Sequence, residues 1–144
     1  MQDDRYECLK LDNQLCFPLY ACSKEIVRRY KPFLDEIDLT YTQYIAMMVL
    51  WEERSLSAKR LGARLYLDSG TLTPVLKALE KKGLVKRERS KEDERVLVVT
   101  VTEEGERLKE RAVAIPQQVS GCLDLDRESA AQLYGILRKL METF

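Results

Sequence analysis

Leu76-Lys-Ala-Leu-Glu-Lys-Lys-Gly-Leu-Val-Lys-Arg-Glu-Arg-Ser-Lys-Glu-Asp-Glu-Arg95, followed by Val96-Leu-Val-Val-Thr-Val-Thr-Glu-Glu-Gly105, is where helical spacing gives way to strand composition. On its upstream side, Thr71–Lys82 carries Leu72, Val75, Leu76 and Leu79 on one face, which predicts a helix. Gly83 follows at the position where helices commonly close in a left-handed conformation. Leu84–Glu88 and Val96–Val101 are short, rich in β-branched residues, and predict two strands. Between them Arg89–Arg95 has no apolar side chain and predicts the tip of a hairpin.

Working outward, Ser57 opens a short helix, Ala58–Leu65, with Leu61 and Leu65 on one side, and Asp68-Ser-Gly separates it from the next. Thr40 or Thr42 caps a helix running from Gln43 to about Glu53, and Tyr44, Ile45, Met47, Met48, Leu50 and Trp51 mark it as deeply buried. From Leu11 to about Leu34, the residues Leu15, Leu19, Cys22, Ile26, Tyr30 and Phe33 recur at helical spacing, with a bend or fresh start expected at Pro32. Downstream, Thr102-Glu-Glu starts a fifth helix with acids at its positive end, interrupted by Pro116 and Gly121. Ser129–Phe144 is a last amphipathic helix with Leu133, Ile136, Leu137, Leu140 and Phe144 on one side. The order predicts a mainly α protein with a small β-hairpin wing: a winged helix-turn-helix in an α-helical frame. One domain spans 1–144. Within it, 1–53 are N-terminal helices, 57–101 the winged helix-turn-helix, and 102–144 the C-terminal helices.

A chain of 144 residues, 45% hydrophobic and 33% charged, is long enough for one real core. No apolar run approaches the roughly 18–20 residues needed to span a bilayer, and the polar start Met-Gln-Asp-Asp-Arg does not read as a secretory signal. A cytoplasmic location is expected. The net charge is zero, but residues 57–100 hold 11 Lys and Arg against 6 Asp and Glu, a local balance of +5. A basic block between acidic flanks is the footprint of a nucleic-acid surface. A winged module lays its second helix in the major groove of duplex DNA. On Thr71–Lys82 and just before it, Ser69, Thr71, Thr73, Lys77 and Lys81 are candidates for phosphate and base-edge contacts. Arg95, at the hairpin tip, suits a minor groove whose negative potential attracts guanidinium, and Asp93 lies near enough to hold its rotamer.

The chain has no histidine, which removes the usual general base, and its cysteines Cys8, Cys16, Cys22 and Cys122 form no CxxC motif. No metal site and no cofactor are expected. Of the remaining chemistry-bearing side chains, only a cysteine is readily oxidised and then restored. Cys16 and Cys22 on one helix would be about 9 Å apart along the axis and about 120° apart in direction. A disulfide needs Cα atoms within about 7 Å, so they cannot bond while that helix is intact. Pro18 is tolerated only in a first turn, which puts Cys16 at or just before a helix N-terminus, where the dipole favours a thiolate. Cys8 and Cys22 are expected to be packed and inert.

Two stretches resemble one family. Leu11-Asp-Asn-Gln-Leu-Cys-Phe-Pro-Leu-Tyr20 looks like the N-terminal signature of the organic hydroperoxide-sensing (OhrR) branch of the MarR transcriptional regulators, and Leu76–Gly105 resembles the MarR recognition helix and wing. Asp93 and Arg95 fall on the wing's D-x-R, and Arg87 on the basic position after G-L-V/I. Pro18 and Val101 depart from the usual residues. The resemblance implies that Cys16 is the peroxide-sensing thiol and that tyrosines matching Tyr30 and Tyr41 donate hydrogen bonds to its sulfur, with Tyr20 a further candidate contact. Tyr30 lies about 21 Å along a continuous helix from Cys16, so any such contact must come from the partner chain of a homodimer. The resemblance to two-cysteine members implies that Cys122 of the other chain resolves oxidised Cys16. One-cysteine members use a low-molecular-weight thiol instead.

What this implies is a repressor that binds operator DNA as a reduced dimer and releases it when an organic hydroperoxide oxidises Cys16. Two alternatives remain open at this point: a repressor released by a small phenolic ligand, and a thiol peroxidase. Neither implies a membrane.

Overall fold

Five helices among the described residues start on a side-chain oxygen. Thr40 accepts from the Gln43 N–H while the Gln43 side chain accepts from the Thr40 N–H, a capping box. Ser57, Asp68, Thr102 and Asp126 each cap a further helix in the same way. In the computed structural model, which describes residues 4–144, the elements run α1 (Cys16–Asp35), α2 (Tyr41–Glu53), β1 (Ser55–Ser57), α3 (Ala58–Leu65) and α4 (Ser69–Lys81). They continue through β2 (Val85–Arg89), β3 (Leu97–Val101), α5 (Glu103–Ala112), α6 (Ile115–Ser120) and α7 (Arg127–Met141). The chain is a winged helix-turn-helix in a helical frame.

The wing is a three-stranded antiparallel sheet in the order β1-β3-β2. Leu56 and Arg87 both stand opposite Val99, which is fully buried. Met47 and Leu50 of α2, Leu61 of α3 and Leu76 and Leu79 of α4 are buried around it, so the core lies between α2 and the helix-turn-helix. Burying one such side chain contributes roughly 1.5–3 kcal/mol. Gly83 closes α4 at φ +77°. Gly105 is needed for a different reason: a Cβ there would meet the Leu84 carbonyl oxygen at 2.3 Å. That close approach lets α5 dock on the sheet, where the Trp51 indole N–H donates to the Gly105 carbonyl at 2.8 Å.

Several expectations need correction. Residues before Cys16 form two short 3-10 turns rather than a helix from Leu11, because Asn13 and Gln14 donate to the backbone carbonyls of Glu7, Cys8 and Lys10. α1 runs unbroken through Pro32, which lies on its exposed side, where water can serve the freed carbonyl. The sheet has a third strand that was not expected, β1, which pairs with β3 from Ser55 onward. Met48 is 44% exposed rather than buried, and Cys8 and Cys22 are exposed rather than packed. The fifth helix is two, α5 and α6, with Pro116 in the opening turn of the second. No residue of α7 is buried, and Leu133, Tyr134, Ile136, Leu140 and Phe144 are all exposed. Leu15, Phe17, Leu19 and Tyr20 at the start of α1 are exposed as well. Among the described residues, no helix is long and apolar enough to cross a membrane.

Candidate redox thiol and nucleic-acid interface

α4 opens on the Asp68 cap and turns Ser69, Thr71, Thr73, Lys77 and Lys81 to solvent while Leu72, Leu76 and Leu79 face the core. The Thr73 hydroxyl donates to the Ser69 carbonyl at 2.7 Å, which leaves its lone pairs outward. Arg87 differs from the rest of this set. Its guanidinium makes two bonds to Glu80 Oε1, at 3.0 and 3.3 Å, and its N–H donates to Glu80 Oε2, so it braces β2 against α4. This pairing holds the Glu80 carboxyl below its ordinary range. Arg95 is 90% exposed at the hairpin tip, and among the described residues its ion pair is with Asp93, at 3.0 Å. Asp93 also accepts from the Arg95 N–H, and Arg95 keeps its carboxyl low. Arg95 is thus exposed at the tip with its guanidinium oriented by Asp93.

Cys16 is the first residue of α1 and is exposed, at the positive end of the helix dipole. Tyr30 and Tyr41 stand 5.0 Å apart by ring centroid, and Tyr44 joins them at 5.8 and 6.5 Å. Burial, first, and the neighbouring phenols, second, push Tyr30 and Tyr44 above the ordinary phenol value; burial alone does so for Tyr41. All three are therefore hydrogen-bond donors across the neutral range. Because α1 is continuous, Tyr30 lies about 21 Å along the axis from Cys16 of the same chain. Tyr20 does not join the cluster; it is exposed, with the Lys24 ammonium 5.1 Å from its ring centroid. Cys122 is exposed in the turn after α6, its thiol donating to the Gln118 carbonyl at 3.4 Å and its carbonyl accepting from Arg29 of α1.

The model of the SarA/Rot transcriptional regulators matches residues 28–112. The organic hydroperoxide resistance transcriptional regulator of Bacillus subtilis strain 168 is 48% identical over 141 residues, covering 98% of this chain and 96% of that protein. The chain belongs to the MarR family, in its organic hydroperoxide-sensing branch. Among solved structures, reduced AbfR bound to DNA is 36% identical with a TM-score of 0.77, over 97% of this chain and 98% of that one. The disulfide-formed state of AbfR, a Staphylococcus epidermidis protein, matches with a TM-score of 0.62 at the same identity, covering 99% and 95%.

As a MarR-family protein, the chain has site features that sequence reasoning missed. Tyr44 was legible only as core, since its spacing on α2 is that of any inward residue. Gln43, the one buried polar side chain among the described residues, gave no signal beyond its place in the cap. The exposure of Cys22 adds a second accessible thiol on α1.

Proposed function

We propose that this chain is a cytoplasmic, homodimeric repressor that binds operator DNA when reduced and releases it when an organic hydroperoxide oxidises Cys16. The observation that carries the reading is the placement of Cys16: exposed on the first turn of a continuous helix, and a helix-length away from its own chain's half-buried Tyr30 and Tyr41. Only a second copy can bring Tyr30 and Tyr41 to that sulfur. The exposed apolar residues at the start of α1 and along α7 supply surface for such a copy. AbfR, whose structures include a reduced DNA-bound and a disulfide-formed state, supports the same cycle.

In the first step the Cys16 thiolate attacks the distal peroxide oxygen; the O–O bond breaks, the alcohol leaves with a proton, and the sulfur becomes a sulfenic acid. The partner's phenols hold the thiolate and the departing oxygen by hydrogen bonds. In the second step the Cys122 thiol of the other chain displaces hydroxide from sulfur, forming a disulfide and water. A low-molecular-weight thiol can take its place. The protein consumes one equivalent of oxidant and does not turn over, so it is a sensor and not an enzyme. Residues 1–53 and 102–144 form the sensing and dimerisation frame, and 57–101, extended to include β1, the DNA-binding module. Ser69, Thr71, Thr73, Lys77 and Lys81 contact the major groove and its phosphates. Arg95, oriented by Asp93, enters the minor groove, and Arg87 acts by bracing the wing.

The test is operator binding by wild type and Cys16→Ser, with and without cumene hydroperoxide. Wild type should lose binding on oxidation and Cys16→Ser should keep it. Release of Cys16→Ser by hydroperoxide would remove Cys16 as the sensor, and catalytic consumption of peroxide would favour a peroxidase.

A further inference from the structure

We infer that Lys82 is the positioning residue that ties the DNA-reading helix to the sensing tyrosines. Lys82 caps the C-terminal end of α4, with a side chain only 28% exposed. Its ammonium donates to the Asp38 carbonyl and, at 3.1 Å, to Gln43 Oε1, and it lies 3.5 Å from the Asp38 carboxylate. Gln43 Oε1 is the same atom that accepts from the Thr40 N–H at the start of α2. One oxygen therefore both closes the cap of α2 and receives the cation of α4.

The receiving turn is well anchored. Asp38 has a left-handed backbone, φ 53°, between buried Ile37 and Leu39. Arg111 of α5 donates to the Glu36 carbonyl in the same turn. Tyr41 and Tyr44, flanking Gln43, belong to the phenol cluster with Tyr30. A displacement of that cluster moves the first turn of α2, and with it the oxygen that Lys82 holds. An ammonium is a compact charge with three donors, and a partly buried one is screened little by salt. α4 is thereby pulled through a polar contact rather than through the deformable surface of its lysines. The inference rests on the reading of redox-controlled DNA release.

Full-length protein is treated with one equivalent of cumene hydroperoxide, oxidation of Cys16 is followed by mass spectrometry, and operator affinity is measured before and after. Lys82→Met should bind reduced operator as wild type does, and its Cys16 should oxidise fully. Its oxidation-induced loss of affinity should shrink by about tenfold, a usual size for coupling between sites. Lys82→Arg should restore the wild-type ratio. Lys82→Gln keeps a polar head, should behave like Lys82→Met, and serves if that variant does not fold. Combining Lys82→Met with Asp38→Asn should add nothing beyond the single change. A wild-type release ratio in Lys82→Met or Lys82→Gln overturns the inference, as does a weakened reduced affinity with an unchanged ratio, which would make Lys82 a mere DNA contact. Wild type that oxidises but keeps its operator would instead sink the redox-repressor reading itself.

Discussion

Replacing Arg95 with alanine should strip the wing of its contact while leaving the fold intact. The side chain is 90% exposed and its ion pair with Asp93 lies at the surface, so thermal stability should hardly change. A groove-reading arginine is worth about 1–3 kcal/mol. A dimer carries two wings, so even the lower figure, taken twice, lowers operator affinity by about 30-fold. If each guanidinium also displaces one counterion, the slope of log affinity against log salt should flatten by about 1.8 for the dimer. The assay is fluorescence anisotropy with an operator duplex selected by the wild-type protein from a random library, titrated at several salt concentrations. Asp93→Asn keeps the cation but frees its rotamer, and should show a smaller loss with an unchanged slope. Wild-type affinity and slope in Arg95→Ala would refute the reasoning and take the wing out of recognition.

After one equivalent of hydroperoxide, wild type should run as a covalent dimer on a non-reducing gel, and Cys122→Ser as a monomer whose release depends on added small thiols. Monomeric wild type would assign resolution to an external thiol. Tyr30→Phe and Tyr41→Phe keep their ring packing and lose only the phenol proton, so reduced DNA binding should persist while Cys16 oxidises more slowly; stopped-flow oxidation at wild-type rate would dissociate the cluster from the thiol. The same phenols bear on pH. Their folded-state values are raised, so the stability they contribute is fully present below about 10 and lost as pH rises through the folded values. Urea midpoints should fall above that pH in wild type and less in the Tyr30→Phe/Tyr41→Phe variant, and identical profiles would count against it.

Elements with a strong period or a recognisable cap were legible in sequence. α2 behind a threonine cap, α3 behind Ser57 and the hairpin around its charged tip fall close to where residue patterns put them, while α4 starts two residues before Thr71 because Asp68, read as part of a break, caps it. What failed lacked such a signal. β1 has three residues with a single apolar one, Leu56, too short for alternation to show, and it exists because β3 offers it an edge. Pro32 does not break α1 because it lies on the exposed side, where the carbonyl it frees is open to solvent. The position of Cys16 was readable from Pro18, which restricts where a helix can begin. The role of Gln43 and Lys82 was not readable, because 39 residues separate them and only the packing of α4 on α2 brings them within 3.1 Å.

The uncovered stripe on α7, with Leu133, Ile136, Leu140 and Phe144 between 42% and 77% exposed, makes the state of this protein a matter of mass action. If apolar surface of that extent is closed only by association, folding and pairing are one equilibrium, and each tenfold dilution costs about 1.4 kcal/mol of it. Melting temperature must then rise with chain concentration, and copy number enters the threshold of the response alongside the dose of oxidant. A scarce chain would be held less by its operator and more by the proteases that remove unpaired protein, so abundance and redox state act on the same population of dimers.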